Sequence, residues 1–464
     1  MQTHFTADQL ADPKIREADD ILRKCVHCGF CTATCPTFVI TGDERDSPRG
    51  RIWMMRELLE SPDSISADTG HHIDRCLGCL SCMTTCPSGV DYAHLVEIGR
   101  EKLDELVPRP LGDRLLRRLL AATIPHAARF HALLWLARVG RPFVPFMPAQ
   151  MRAALAKLPT RIPPLDPVGA HTHSCPPTPR IPPLDPVGAN THSYPPTQQI
   201  NSDSNNKSKL QASHNKIRRV ALLAGCAQRA LDPEINASTI RVLNRLGIEV
   251  VVRSEAHCCG ALAHHIGETE AADKSVRQAL RAWQDEIKNG GLDAIVVNAS
   301  GCGTMVKDYG HLLKDDRELG HLATQISAMT MDISQLLAEI GINSIIEPAP
   351  DGGRPELAYH SACSLQHGQK IHDLPQQLLR SAGFTVTQPV NPHLCCGSAG
   401  VYNILQPHMA DGLRTRKLDS LRKTGAIAVA AGNIGCISQL DEDALPVRHT
   451  VQFIDWASGG PSPL

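Results

Sequence analysis

No stretch of this 464-residue chain approaches the roughly 18 consecutive apolar residues that cross a bilayer. The longest apolar pieces, such as His131 to Ala137, are soon cut by Arg138. Any meeting with a membrane is therefore expected at its surface or through a partner. Net charge of one sign is also lacking, since 47 lysines and arginines face 48 aspartates and glutamates. That balance removes the global field that would argue for nucleic acid or an acidic ligand. The opening residues, MQTHFTADQLADPKIREADD, lack the apolar centre of a secretory signal. A reducing cytoplasm is the expected setting, where clustered thiols mean metal or redox chemistry. There is no G-x-G-x-x-G opening a helix after a strand, and no recognisable Cys/His or Ser/His catalytic motif. Without an evident flavin or nicotinamide site, the chain is not expected to dehydrogenate an alcohol alone.

Cysteine is abundant, with 17 in all. Eight fall in two near copies of C-x2-C-x2-C-x3-C-P: Cys25, Cys28, Cys31 and Cys35 before Pro36, then Cys76, Cys79, Cys82 and Cys86 before Pro87. In two-cluster ferredoxins with this spacing, three thiolates of a run hold one [4Fe–4S] cube and the fourth crosses to the other cube. Cluster one is then expected on Cys25, Cys28, Cys31 and Cys86, and cluster two on Cys76, Cys79, Cys82 and Cys35. The following proline bars the chain from continuing as helix through the cluster. Structural zinc is the competing reading of C-x2-C spacing. Three cysteines at successive gaps of two and a fourth before proline, twice over, favour iron–sulfur.

The rest divides by composition. Residues 1–100 are expected to form the two-cluster domain, with a helical lead carrying Ile15, Ala18, Ile21 and Leu22 on one face. Ser47 to Leu59 reads as a turn and an amphipathic helix between the cluster loops, which places Arg45, Arg49 and Arg51 to offset cluster charge or to lie solvated. Residues 101–159 read as basic helices, either packed ordinarily or lying on an anionic surface or partner. Residues 160–216 read as a proline-rich linker. Its Arg161-IPPLDPVGAHTHSCPPT recurs from Arg180, and because Cys175 falls opposite Tyr194, Cys175 is excluded as a ligand.

Residues 217–341 and 342–464 repeat one plan. Cys226, Cys258-Cys259-Gly260 and Cys302 recur as Cys363, Cys395-Cys396-Gly397 and Cys436. Buried strands at about 220–225, 248–253 and 294–299 alternate with helices at 234–246 and 268–288; the second unit repeats this with strands at 356–362, 385–390 and 426–431 and helices at 372–382 and 407–423. Such alternation implies right-handed βαβ units and parallel sheet, with ligands beyond the carboxyl ends of the strands. The fold class expected is an α-rich, α+β ferredoxin-type domain followed by duplicated α/β Cys-Cys-Gly domains. The eight repeat cysteines are candidate metal ligands, for a further iron–sulfur centre or for zinc. His257, His264, His265, His360, His367 and His393 flank them, and His27 lies inside the first run, where it is placed to bond a cluster sulfur or to lie solvated.

Together the runs CVHCGFCTATCPT, PRGRI and TTCPSGV, with Ala224-Gly-Cys-Ala-Gln228, Ala299-Ser-Gly-Cys-Gly303, His393-Leu-Cys-Cys-Gly-Ser-Ala-Gly400 and Asn433-Ile-Gly-Cys436, resemble the iron–sulfur subunits of bacterial glycolate oxidase (glycolate dehydrogenase). The resemblance covers nearly the whole chain apart from the duplicated linker. It implies an electron-transfer subunit within a hetero-oligomer of three subunit types, in which FAD-binding partners oxidise glycolate to glyoxylate. Electrons would pass through this chain towards membrane quinone at the cytoplasmic face of the inner membrane, with peripheral attachment. The Cys-Cys-Gly repeats are similar also to lactate-utilisation proteins, the anaerobic glycerol-3-phosphate dehydrogenase C subunit and heterodisulfide reductases, so those systems are the alternatives. Heterodisulfide reductase relatives carry a fifth cysteine three residues before the last; Ala299 and Asn433 stand there, which favours four-thiolate sites.

Overall fold

Short runs of Val, Ile, Leu and Ala, wholly apolar and buried in the strands Ala294–Val297 and Ala428–Ala431, build the centres of two sheets, as helices on either side require. The computed structural model describes residues 1–64, 66–140, 162–166, 173–175 and 217–464. The first sheet contains β1 (His173–Cys175), β2 (Arg219–Leu223), β3 (Glu249–Val252), β4 (Ala294–Val297) and β5 (Thr330–Asp332), in the order β1-β3-β2-β4-β5. The second contains β6 (Glu356–His360), β7 (Thr385–Thr387), β8 (Ala428–Ala431) and β9 (Val447–His449), in the order β7-β6-β8-β9. Val220 lies opposite Val250 and Ala294, and Leu357 opposite Val386 and Ala428, all in parallel register.

The structure adds to or departs from the sequence reading at four places. The linker is not structureless throughout: β1 pairs antiparallel with β3, Val252 opposite His173. Upstream, Asp166 is buried, accepting from Asn236 Nδ2 at 2.8 Å and donating its backbone N–H to Arg229 O at 3.1 Å. The second copy of the duplication lies outside the described residues. Each sheet also gains a strand that periodicity could not reveal, because β5 and β9 are only three residues long. Each leads into a helix closed by a capping box, on Asp332 in the first unit and His449 in the second. The strand expected over 385–390 stops at Thr387. Finally, helix Tyr92–Leu106 runs through residue 100, its face held by Leu95, Val96 and Leu103, so a boundary there would cut a continuous helix.

One apolar core runs through both repeat units, joining Val220, Val250 and Val296 to Leu357, Val429 and Phe453. Polar pairs complete the joint. Asp455, fully buried, receives Arg241 Nε at 2.9 Å and Arg245 Nη1 at 2.6 Å, and Ser300 N donates to Gly432 O at 3.1 Å.

The N-terminal domain rests on helices Pro13–Lys24, Pro48–Glu60 and Tyr92–Leu106, with Asp12 and Ser47 capping the first two. Ile15, Ala18, Ile21 and Leu22 bury as the periodicity implies. Helices Leu111–Thr123 and Ala127–Val139 follow; Leu120, Ala121 and Ile124 pack on Ala263, Ile266 and Ala272 of the first repeat unit. The remainder of the basic segment, from residue 141, lies outside the described residues.

This domain touches both repeat units. Against the second, Tyr402 Oη donates to Arg75 O at 2.9 Å and Thr84 Oγ1 meets His367 Nδ1 at 2.8 Å. Against the first, His94 sits between Asp91 at 2.7 Å and Asp308 at 3.2 Å, its ring stacked on His311, which pairs with Glu17. Burial alone would lower the His94 pKa, but the bonds to Asp308 and Asp91 outweigh it and raise it to about 10. A raised pKa means that charged His94 stabilises the docking fully below its ordinary value near 6.5, and that this contribution is lost as pH climbs through about 10. Hydrogen-exchange protection across helix Tyr92–Leu106, referred to the intrinsic rate at each pH, is therefore expected to fall between pH 6.5 and 10, and His94→Gln to flatten that dependence. Equal pH dependence in both proteins would contradict this assignment.

Candidate metal centres

The two cysteine runs turn on left-handed residues. Gly29, Gly78 and also His27 and Leu80 have positive φ, which folds each C-x2-C-x2-C into a loop whose thiols face inward. Short helices Phe30–Thr34 and Ser81–Thr85 then bring Cys35 and Cys86 round before Pro36 and Pro87. The structure brings the runs together crosswise. Cys25, Cys28, Cys31 and Cys86 line one cavity together with Cys82, Arg49 and Tyr92. Burial and then the charge on Cys25 push the Cys31 thiol up to about 11. On the other side, burial and then the charges of Cys76 and Cys35 raise Cys82 well above the ordinary thiol range.

Arg51 is the cation that matters at the second group. It is 1% exposed, with Nη1 4.0 Å from Cys35 Sγ and 3.1 Å from Thr37 Oγ1, and Nε donating to His72 O at 2.7 Å. Burial would raise the Cys76 pKa, but Arg51, Arg100, the Gly78 N–H at 3.4 Å and Tyr92 Oη at 3.7 Å bring it below the ordinary value. Such a site suits an anionic group held by thiolates. Arg49 reaches the first loop but pairs with Glu44, and Arg45 stays outside on Asp43 and Asp68. The His27 imidazole turns elsewhere, its Nε2 3.0 Å from Met1 Sδ and its ring edge-on to Trp53, and it is the His27 backbone that bonds Cys25.

In the repeat units each cysteine follows a strand end, as expected for crevice ligands in parallel sheet. Cys226 follows β2, Cys302 follows β4, Cys363 follows β6 and Cys436 follows β8. The Cys-Cys-Gly turns match: Gly260 N lies 3.4 Å from Cys258 Sγ, and Gly397 N 3.4 Å from Cys395 Sγ. Gly397 has φ +88°, and a Cβ there would stand 2.6 Å from Ala410 O, so this turn admits only glycine. The elements directly after the turns are short, Ala261–His265 and Tyr402–Leu405, and the long helices begin only at Thr269 and Pro407. It is thus the glycine N–H itself, and not a long helix, that meets the thiol. The four thiols of each unit follow one another as neighbours, Cys226–Cys258–Cys259–Cys302 and Cys363–Cys395–Cys396–Cys436. All sixteen of these cysteines are free thiols.

The two units differ in their surroundings. In the second, Lys417 is 3% exposed and His360 1% exposed, whereas Leu280 and Leu223 stand at the matching places of the first. Burial lowers the Lys417 pKa and the four nearby thiols oppose this. Cys79 of the N-terminal domain shares an apolar cluster with Cys363, Cys395, Leu77 and Tyr402, and burial followed by the Cys395 charge raises its pKa well above normal. The second N-terminal group therefore abuts the second repeat site.

The structure also separates the flanking histidines. His257 stacks on His126, His264 pairs with Glu97 at 3.2 Å, His367 meets Thr84, and burial pushes His265 down to about 4. His393 offers its backbone carbonyl to His367. Among the described residues, only His360 lies with repeat cysteines in a group whose donor atoms are all within 4.8 Å of one another.

A second such group, Glu17, His94 and His311, escaped the sequence reading, because its members stand far apart in the chain and no spacing links them.

Comparison with known proteins follows the same division. The 4Fe-4S dicluster domain family matches residues 24–90, and the Cysteine-rich domain family matches 220–307 and 357–441. The chain is similar to the glycolate oxidase iron-sulfur subunit of Escherichia coli K12, at 39% identity over 98% of this chain and 99% of the relative. It is 28% identical to the probable glycolate oxidase iron-sulfur subunit of Bacillus subtilis 168, over 92% of this chain and 90% of the relative. Lactate utilization protein A of Bacillus cytotoxicus is 24% identical over 47% of this chain and 88% of that protein. A thiol-lined dicluster domain seated on two Cys-Cys-Gly units, matched from end to end, places this chain in the family of glycolate oxidase iron–sulfur subunits.

Proposed function

We propose that this chain is the iron–sulfur electron-transfer subunit of a glycolate dehydrogenase complex. Electrons from FAD-binding subunits that oxidise glycolate to glyoxylate pass through it towards membrane quinone. The complex has three subunit types and attaches peripherally at the cytoplasmic face of the inner membrane. No helix among the described residues is long and apolar enough to cross a membrane, so attachment rests on partners or on surface contact. Cys25, Cys28, Cys31 and Cys86 hold one [4Fe–4S] cluster and Cys76, Cys79, Cys82 and Cys35 another, and the repeat cysteines hold a further iron–sulfur centre. Bound clusters supply one-electron transfer at potentials set by charge, hydrogen bonds and exposure.

The observation that carries this reading is the juxtaposition of Cys79 with Cys363 and Cys395. The thiols form a series from exposed Cys28, flanked by exposed Val26 and Phe30, to the buried second repeat site. The exposed end suits a docked flavoprotein, and the Arg51 guanidinium and Gly78 N–H stabilise negative charge midway. Anaerobic isolation of the tagged protein with its native partners, assayed by dye reduction with glycolate, D-lactate and glycerol 3-phosphate, tests it. Glycolate is expected to support the fastest reduction. Activity with another donor alone would move the chain to a sister system.

A further inference from the structure

His360 ends β6 three residues before Cys363. It is 1% exposed, and neither Nδ1 nor Nε2 is in a well-formed hydrogen bond among the described residues; the group the ring approaches is the Cys436 thiol. A buried imidazole carries a donor and an acceptor, and leaving such groups unpaired costs about 1–3 kcal/mol each. A ring nitrogen of His360 and the Sγ atoms of Cys396 and Cys436 lie within 4.8 Å of one another. Asn433, at the place where relatives carry a fifth cysteine, donates from Nδ2 to Cys436 Sγ at 3.7 Å and so supports a thiolate without being one. The first unit has no counterpart: Leu223 occupies the matching position of β2 and packs with Ala221 and Cys259.

Imidazole and thiolate together are a donor set for iron, and histidine in place of cysteine raises the potential of an iron–sulfur centre. We propose that His360 is an iron ligand in the second Cys-Cys-Gly unit, giving a mixed thiolate–imidazole centre there and an all-thiolate site in the first. The inference rests on the reading that the repeats bind iron–sulfur. A neutral imidazole brings less negative charge to the centre than a further thiolate would, so the potential of the second centre stands above that of a His360→Cys variant. That suits its place against Cys79, at the inner end of the thiol series.

The test is pulsed EPR of the native complex, purified anaerobically with 15N-histidine. Directly bound nitrogen is expected to give a strong hyperfine coupling that His360→Ala removes while the ferredoxin-type iron is retained. If His360→Ala fails to fold, His360→Cys is expected to keep the centre, lose the coupling and lower the potential. A coupling that persists in either variant, or a centre present in the native protein with only the weak coupling of a hydrogen-bonded imidazole, overturns the ligand. Zinc with nitrogen in its shell and no iron beyond two cubes would instead overturn the iron–sulfur reading of the repeats and leave His360 as a ligand.

Discussion

Cys86→Ser is expected to strip the first cluster while sparing the second, although Cys86 belongs to the second cysteine run. Cys86 lines the cavity of Cys25, Cys28 and Cys31, and the charge it bears raises the pKa of Cys25, after burial, which is the larger cause. Iron should fall by about four per chain, the content of one cube. Glycolate-dependent dye reduction should drop by more than the roughly 10–100-fold that outer-shell changes around metals cost. Cys35→Ser should give the mirror result, losing the cluster of Cys76, Cys79 and Cys82. Iron analysis with EPR of each variant separates the outcomes: loss of the second cluster in Cys86→Ser would mean that each run holds its own cube.

The other large effect belongs to Arg51. Arg51→Met removes a buried guanidinium that joins Thr37, the His72 carbonyl and Asp46. Asp46, fully buried, would keep His72 at 2.8 Å and Arg75 at 2.9 Å. Breaking a buried pair from one side costs about 3–5 kcal/mol, and these remaining partners place the expected loss near the lower end. Anaerobic denaturant unfolding, followed by cluster absorbance, reads it. Arg51→Met with Asp46→Asn should recover part of the loss, because the uncompensated carboxylate is then gone. A midpoint equal to that of the unaltered protein would show that the guanidinium carries no such load.

How much of this was legible in the residues follows from the range of the interactions. The cysteine runs are local, so their spacing alone announced the thiol loops, and the pairing of Cys226 with Cys363 through to Cys302 with Cys436 announced a duplicated α/β plan. Strands β5 and β9 were not visible because three residues carry no period. The order within the linker was hidden for another reason: Asp166 is held by Asn236, some 70 residues away in sequence, and composition reports nothing of such contacts. His360 was within reach. Setting the second unit against the first places it opposite Leu223, and a polar residue opposite an apolar one inside matched strands is itself a signal. The cluster of His94, His311 and Glu17 was beyond reach, since only the docking of two domains assembles it.

The central claim is that glycolate electrons enter this chain's thiol-held clusters. Its most direct measurement is to add glycolate to the anaerobic oxidised complex and follow cluster bleaching and EPR signals against a dithionite-reduced reference. The account predicts reduction of the clusters within turnover time, and in Cys86→Ser, which lacks the first cluster, no reduction of those that remain. Clusters that dithionite reduces but glycolate leaves oxidised, with flavin partners present and themselves reduced, would contradict it.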